Sequence, residues 1–119
     1  MRPRNATLVA LGGFAGALCR HAVSVALSET FPWGTLAVNV VGAFLLGLVV
    51  YETAASGRIP DAARLLLSTG FLSSFTTYST FAWETVALSP RLAALNVVAN
   101  YALGFLAVLL AREVVGWRS

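Results

Sequence analysis

From Ser68 to Thr80 the chain reads STGFLSSFTTYST, and Ser or Thr fills eight of the thirteen positions. Each hydroxyl is both a donor and an acceptor. Some of them can bond back to their own helix, but eight together point to a polar path or to a broken helix. Three further sets of residues stand out. Asn39 is an isolated amide. Asn96 and Asn100 are four apart and share one helix face. Tyr78 and Phe81, three apart, share another, the usual arrangement of plain aromatic packing. Arg20 and Glu84 are lone charges within apolar stretches. None of this assembles a nucleophile with its base. The single histidine, His21, and the single cysteine, Cys19, are too few for a metal site of known ligand count. A lone cysteine also excludes an intrachain disulfide, and Cys19 is expected as a buried small apolar residue.

The elements that must position these residues follow from composition. Of 119 residues, 58% are hydrophobic and only 11% are charged, against about 25% charged in a soluble domain. So few charges cannot clothe a water-facing surface, and a bilayer is the solvent that fits. Four apolar stretches approach the roughly 20 residues that cross the hydrocarbon core. They run over about 7–27, 33–51, 64–88 and 92–111, in a single domain of 1–119. The first is longer than the apolar part of a signal peptide and is followed by three more, so it reads as a retained span. The connections are short, so neighbouring spans are antiparallel and both termini share one side.

Polar groups inside such spans need partners. Asn39 lies about six residues, or about 9 Å, inside the second span; it either glues two helices together or faces a permeation path. Arg20 and Glu84 approach the same side of the membrane. They are expected either to pair or, for Arg20, to snorkel or to attract an anion. Gly12, Gly13 and Gly16, then Gly42 and Gly47, and also Gly104, predict close helix packing.

All eight basic residues are Arg, and they are scattered instead of forming a nucleic-acid patch. Arg2, Arg4, Arg58, Arg64, Arg112 and Arg118 lie on the side of the termini. Arg91 lies opposite, with Arg20 if it snorkels. The excess predicts cytoplasmic termini in a cell-membrane protein.

The motifs resemble one family. Gly12-Gly13-Phe-Ala-Gly16-Ala-Leu-Cys-Arg20 is similar to the first-helix signature of the Fluc (CrcB-type) fluoride channels. The stretch from Gly34-Thr35 through Asn39 and Gly42 to Gly47 resembles their second helix, and Gly70 to Phe81 resembles their third. The resemblance implies an all-α membrane protein with four transmembrane helices, the third broken at mid-membrane, in an antiparallel, dual-topology dimer. It implies passive fluoride export through two pores between the subunits. Asn39, Tyr78, Phe81, Ser79 and Thr80 would line the pore, with Asn96 and Asn100 in the fourth helix. A central structural sodium ion would be held by the backbone carbonyls of Ser73 and Thr76 and their copies in the partner. The chemistry agrees. Fluoride must exchange its water for donors, which amides and hydroxyls supply, and an aromatic edge is positive.

Three departures mark this chain. Tyr78 stands where the family has Phe. Ser73 and Ser74 replace a Gly-Gly pair. Asn96 and Asn100 stand where the family has Tyr and Ser. These changes, with the charge bias, favour one half of a pair of different subunits in fixed opposite orientations, with a homodimer as the alternative. The competing readings are a small multidrug-type exporter and a structural subunit without transport. The exporter needs a carboxylate inside its first helix, but the first acid here is Glu29, outside that span. The structural subunit leaves the hydroxyl run and Asn39 without a purpose.

Overall fold

A computed structural model describes residues 2–27 and 31–118, except for the side chain of Arg118. The expected connection at 28–30, which includes Glu29, lies outside the described residues. Every regular element among those described is helical: α1 Pro3–Ala26, α2 Trp33–Ser56, α3 Asp61–Arg64, a π-helical segment Leu65–Leu72, α4 Ser73–Phe75, α5 Ser79–Ala87 and α6 Pro90–Arg118. The four prolines all stand at helix starts. Pro3 opens α1, Pro32 and Pro60 precede α2 and α3, and Pro90 opens α6. Proline's fixed φ and missing N–H suit that position. Gly57 ends α2 in the left-handed conformation, φ 64°, where glycine carries no steric penalty.

Three helices, Pro3–Ala26, Trp33–Ser56 and Pro90–Trp117, are long and apolar enough to cross a membrane. At 24 residues, α1 is about 36 Å long, more than the roughly 30 Å of hydrocarbon. The helices therefore outrun the apolar stretches at several ends.

The chain between 61 and 87 is built differently. The π-helical segment leads into one turn of α-helix, Thr76 is extended (φ −80°, ψ 158°), and helix resumes only at Ser79. Local chemistry explains why regular helix fails. The Ser73 hydroxyl bonds back to the carbonyls of Thr69 and Gly70, and the Thr76 hydroxyl donates to the Leu72 carbonyl at 2.9 Å. Hydroxyls that share ladder carbonyls loosen and bend a helix. Three of the eight hydroxyls, those of Ser73, Thr76 and Thr77, thus bond to backbone nearby in the chain.

Two close helix contacts dominate the packing. α1 lies along the π-helical segment and α4, and α2 lies along α6. A Cβ on Gly12 would collide with the Leu66 carbonyl oxygen, and one on Gly16 with that of Phe71. Gly70 faces back, where a Cβ would come within 2.7 Å of the Val9 carbonyl oxygen. Between α2 and α6, a Cβ on Gly47 would lie 2.8 Å from the Ala111 Cβ. The outward stripe of α1 is Leu11, Phe14, Leu18 and Val25, all exposed, and Cys19, expected to be buried, is exposed as well because it lies only at the edge of the glycine face that meets the π-helical segment. Gly104 departs from the expected close packing, because a Cβ there meets nothing within 4 Å. Gly104→Ala is accordingly expected to leave thermal stability in detergent unchanged, or to raise it by up to about 1 kcal/mol through helix propensity.

Candidate ion-path site

The break is held from outside its own helix. Asn39, one-quarter of the way along α2, faces Thr77. Its Oδ1 accepts the Thr77 N–H at 2.8 Å, and its Nδ2 donates to the Thr77 carbonyl at 3.1 Å. One side-chain amide thus satisfies both backbone groups of a non-helical residue, as any backbone shielded from water requires. The second Nδ2 hydrogen of Asn39 goes to Asn100 Oδ1 at 3.1 Å. Both hydrogens are committed: Asn39 joins α2 to the break and to α6, and it also lines a groove beside the break.

Asn96 and Asn100 do share one face of α6, and that face turns inward. Asn100 Nδ2 donates to the Asn96 carbonyl at 2.8 Å and to Asn96 Oδ1 at 3.0 Å. Asn96 is 1% exposed, and its Nδ2 donates to the Thr85 hydroxyl at 2.8 Å. Thr85 in turn donates to the Phe81 carbonyl at 2.7 Å. The two amides expected on a pore surface are therefore set behind Asn39 and bonded to protein. Thr85 carries no role in the sequence reading, and nothing but its hydroxyl in an apolar segment marks it.

Phe81 is buried. Its ring lies 5.8 Å from that of Tyr78 and meets Tyr101 edge-on at 6.2 Å. Tyr78 is 71% exposed. Ser79 and Thr77 hydroxyls are 3.4 Å apart, and the Thr77 hydroxyl accepts the Thr80 N–H at 3.1 Å.

Two open grooves flank the break. One, of about 370 Å³, runs between α2 and the π-helical segment and includes Asn39 and Ser68. The other, of about 420 Å³, lies toward α1 and includes Arg20, Ser74 and Ser79. Both are walled by Ser73, Thr76, Thr77 and Tyr78. The break is thus a partition between two open grooves, the first mostly apolar in its lining and the second mixed. Each groove is lined by a residue with one buried polar atom lacking a hydrogen-bond partner, Ser68 Oγ for the first and Arg20 Nε for the second.

The expected pairing of Arg20 with Glu84 does not form. Thr35, 3% exposed, donates to Glu84 Oε1 at 2.5 Å. The ion pairs among the described residues are Arg64–Asp61 and Arg112–Glu113. The reason is the path of the chain. Arg20 sits over the α4 side of the break, whereas the turn at Thr76 carries α5 away toward the start of α2.

Three membrane-crossing helices and a fourth segment interrupted by hydroxyl-rich, non-helical backbone define a multi-pass membrane protein built around a polar discontinuity. Residues 7–112 match the model of the family described as CrcB-like protein, Camphor Resistance (CrcB), and the chain belongs to that family. A relative from Natronomonas pharaonis, named fluoride-specific ion channel FluC 1, is 70% identical over 119 residues, 100% of both chains. Haloarcula marismortui has two relatives. Its FluC 1 is 56% identical over 110 residues, 91% of this chain and 83% of the relative. Its FluC 2 is 47% identical over 116 residues, 93% of each.

Proposed function

We propose that this chain is a subunit of a fluoride-selective channel that lets fluoride leave the cytoplasm passively. The observation that carries the reading is the partition itself: a hydroxyl-rich helix break with open grooves on both faces. A small anion moving past it must be offered donors in place of water. The hydroxyls of Ser79 and Thr80 and the ring edges of Tyr78 and Phe81 are the groups assigned to that task. Asn39 stands in the wall and holds the break in shape. Arg20 supplies positive charge along the α1-side groove, and with no carboxylate paired to it among the described residues an anion-attracting role is favoured over an ion pair.

The break is assigned to mid-membrane and to the contact between two antiparallel subunits. Its residues fit the structural sodium ion. The amide that would close on the Ser73 carbonyl, Thr77 N–H, goes to Asn39, and the one for Thr76, Thr80 N–H, goes to the Thr77 hydroxyl. Two carbonyls are thereby released from the helix ladder, and hard oxygen donors suit an alkali cation. When bound, the ion supplies fixed positive charge between the subunits.

The second subunit is assigned to a different family member. Two relatives in one organism mean that a second family member can be at hand, and the arginine bias favours one orientation, with cytoplasmic termini. The deciding assay is efflux from liposomes. Fluoride efflux without chloride efflux is expected when this chain and a second family member from the same organism are reconstituted together. Efflux from this chain alone would replace the pair with a homodimer. Silence in both preparations would overturn the channel reading.

A further inference from the structure

The hydrogen bonds behind Asn39 run in one direction. Asn39 donates to Asn100, Asn100 to Asn96, Asn96 to Thr85, and Thr85 to the Phe81 carbonyl. This direction does not depend on a choice of amide orientation, because backbone groups pin it at several points. A carbonyl can only accept and an N–H can only donate. The Thr77 N–H and carbonyl therefore fix which end of Asn39 faces which, and the Asn96 carbonyl fixes Asn100 with its nitrogen inward and its oxygen toward Asn39. The Phe81 carbonyl anchors the far end. The relay joins α2, α5 and α6, and Asn96, at 1% exposure, is sealed inside it.

We infer that Asn100 and Asn96, with Thr85 as their anchor, are positioning residues that orient the Asn39 amide and through it the backbone of Thr77. They act as a fixed dipole chain behind the ion path and do not themselves present donors to the ion. The inference rests on the channel reading only for its functional importance. The relay itself makes a separate structural claim.

That claim has a chemical signature. Position 100 accepts one bond from Asn39 and gives two to Asn96, one to its carbonyl and one to its Oδ1. Position 96 must accept from Asn100 and give to Thr85. A neutral aspartic acid side chain, with one O–H and one carbonyl, meets the requirement at position 96, and at position 100 it keeps the bond from Asn39 and one of the two to Asn96. Position 39 must donate twice and accept once, which aspartic acid cannot do.

The experiment is hydrogen–deuterium exchange of the Thr77 amide in the full chain, assembled as in the flux assay, in mildly acidic buffer. Asn100→Leu is expected to speed that exchange about tenfold, as loss of one hydrogen bond of ordinary net strength would. Amides of α1 beside Gly12 are expected to stay protected. Asn100→Asp is expected to exchange within about twofold of the unaltered protein, and Asn39→Asp about tenfold faster. Unchanged exchange in Asn100→Leu would overturn the inference. So would equal exchange in Asn100→Asp and Asn39→Asp, and this comparison decides the matter if the leucine variant loosens the whole fold. Fluoride flux of the unaltered protein, read in parallel, tests the channel function independently.

Discussion

Asn39→Ala is expected to lower fluoride flux by at least about a hundredfold while the protein still extracts as a folded species. The substitution strips Thr77 of both partners at once, because its N–H and its carbonyl each bond to this one side chain. A buried backbone group left without a partner costs about 1–3 kcal/mol. Two such losses give about 2–6 kcal/mol, and a hundredfold effect needs only about 2.7 kcal/mol. The energy is lost at the break and not in the helix contacts, so the expected result is a rearranged 76–78 segment. The released Thr77 N–H would be drawn back toward the Ser73 carbonyl, which mends the helix and removes the partition. Liposome efflux of fluoride, with detergent-phase monodispersity as the control, checks this. Flux within threefold of the unaltered protein would mean that the break holds itself.

Gly16→Val is expected to destabilise the fold itself, by about 3 kcal/mol or more, and to appear as loss of monodisperse protein. The atoms a Cβ would meet at Gly16 are the Phe71 carbonyl oxygen, the Phe71 carbonyl carbon at 3.0 Å and the Phe75 nitrogen at 3.1 Å. All are backbone, so no side chain can swing aside. Overpacking a core costs about 1–3 kcal/mol when side chains can adjust. Here relief requires α1 to lift away from the whole π-helical segment. A thermal melt in detergent separates this result from the neutral Gly104→Ala. If both variants melted alike, the backbone-to-backbone contact would carry no special weight.

Different physical signals made different parts of this molecule legible in the sequence. Helix existence follows from apolar length, and the prolines and Gly57 punctuate it well. The small-residue pairs in α1 and α2 announce close packing, although spacing alone does not separate Gly12, which touches backbone, from Gly104, which touches nothing. The hydroxyl run marks where regular helix is in trouble. What spacing could not carry is direction. Asn96 and Asn100 share a face in any helix, but whether that face looks into a groove or toward Asn39 depends on how α6 is rotated against α2. Arg20 and Glu84 likewise come to one side of the membrane by residue count. They are kept apart by the turn at Thr76, and the true partner of Glu84, Thr35, lies in an element with which no sequence pattern connects it.

The clasp of Asn39 on Thr77 also bears on how the chain is assembled. Synthesis proceeds from the N-terminus, so α2 enters the bilayer before the segment that must be broken. The amide that will receive Thr77 is therefore already waiting when the unladdered backbone of the break is made, and such backbone needs a partner wherever water is excluded. Asn100 comes last, with α6. The chain order thus protects the weakest stretch of backbone first and fixes its orientation only when the final helix closes the bundle.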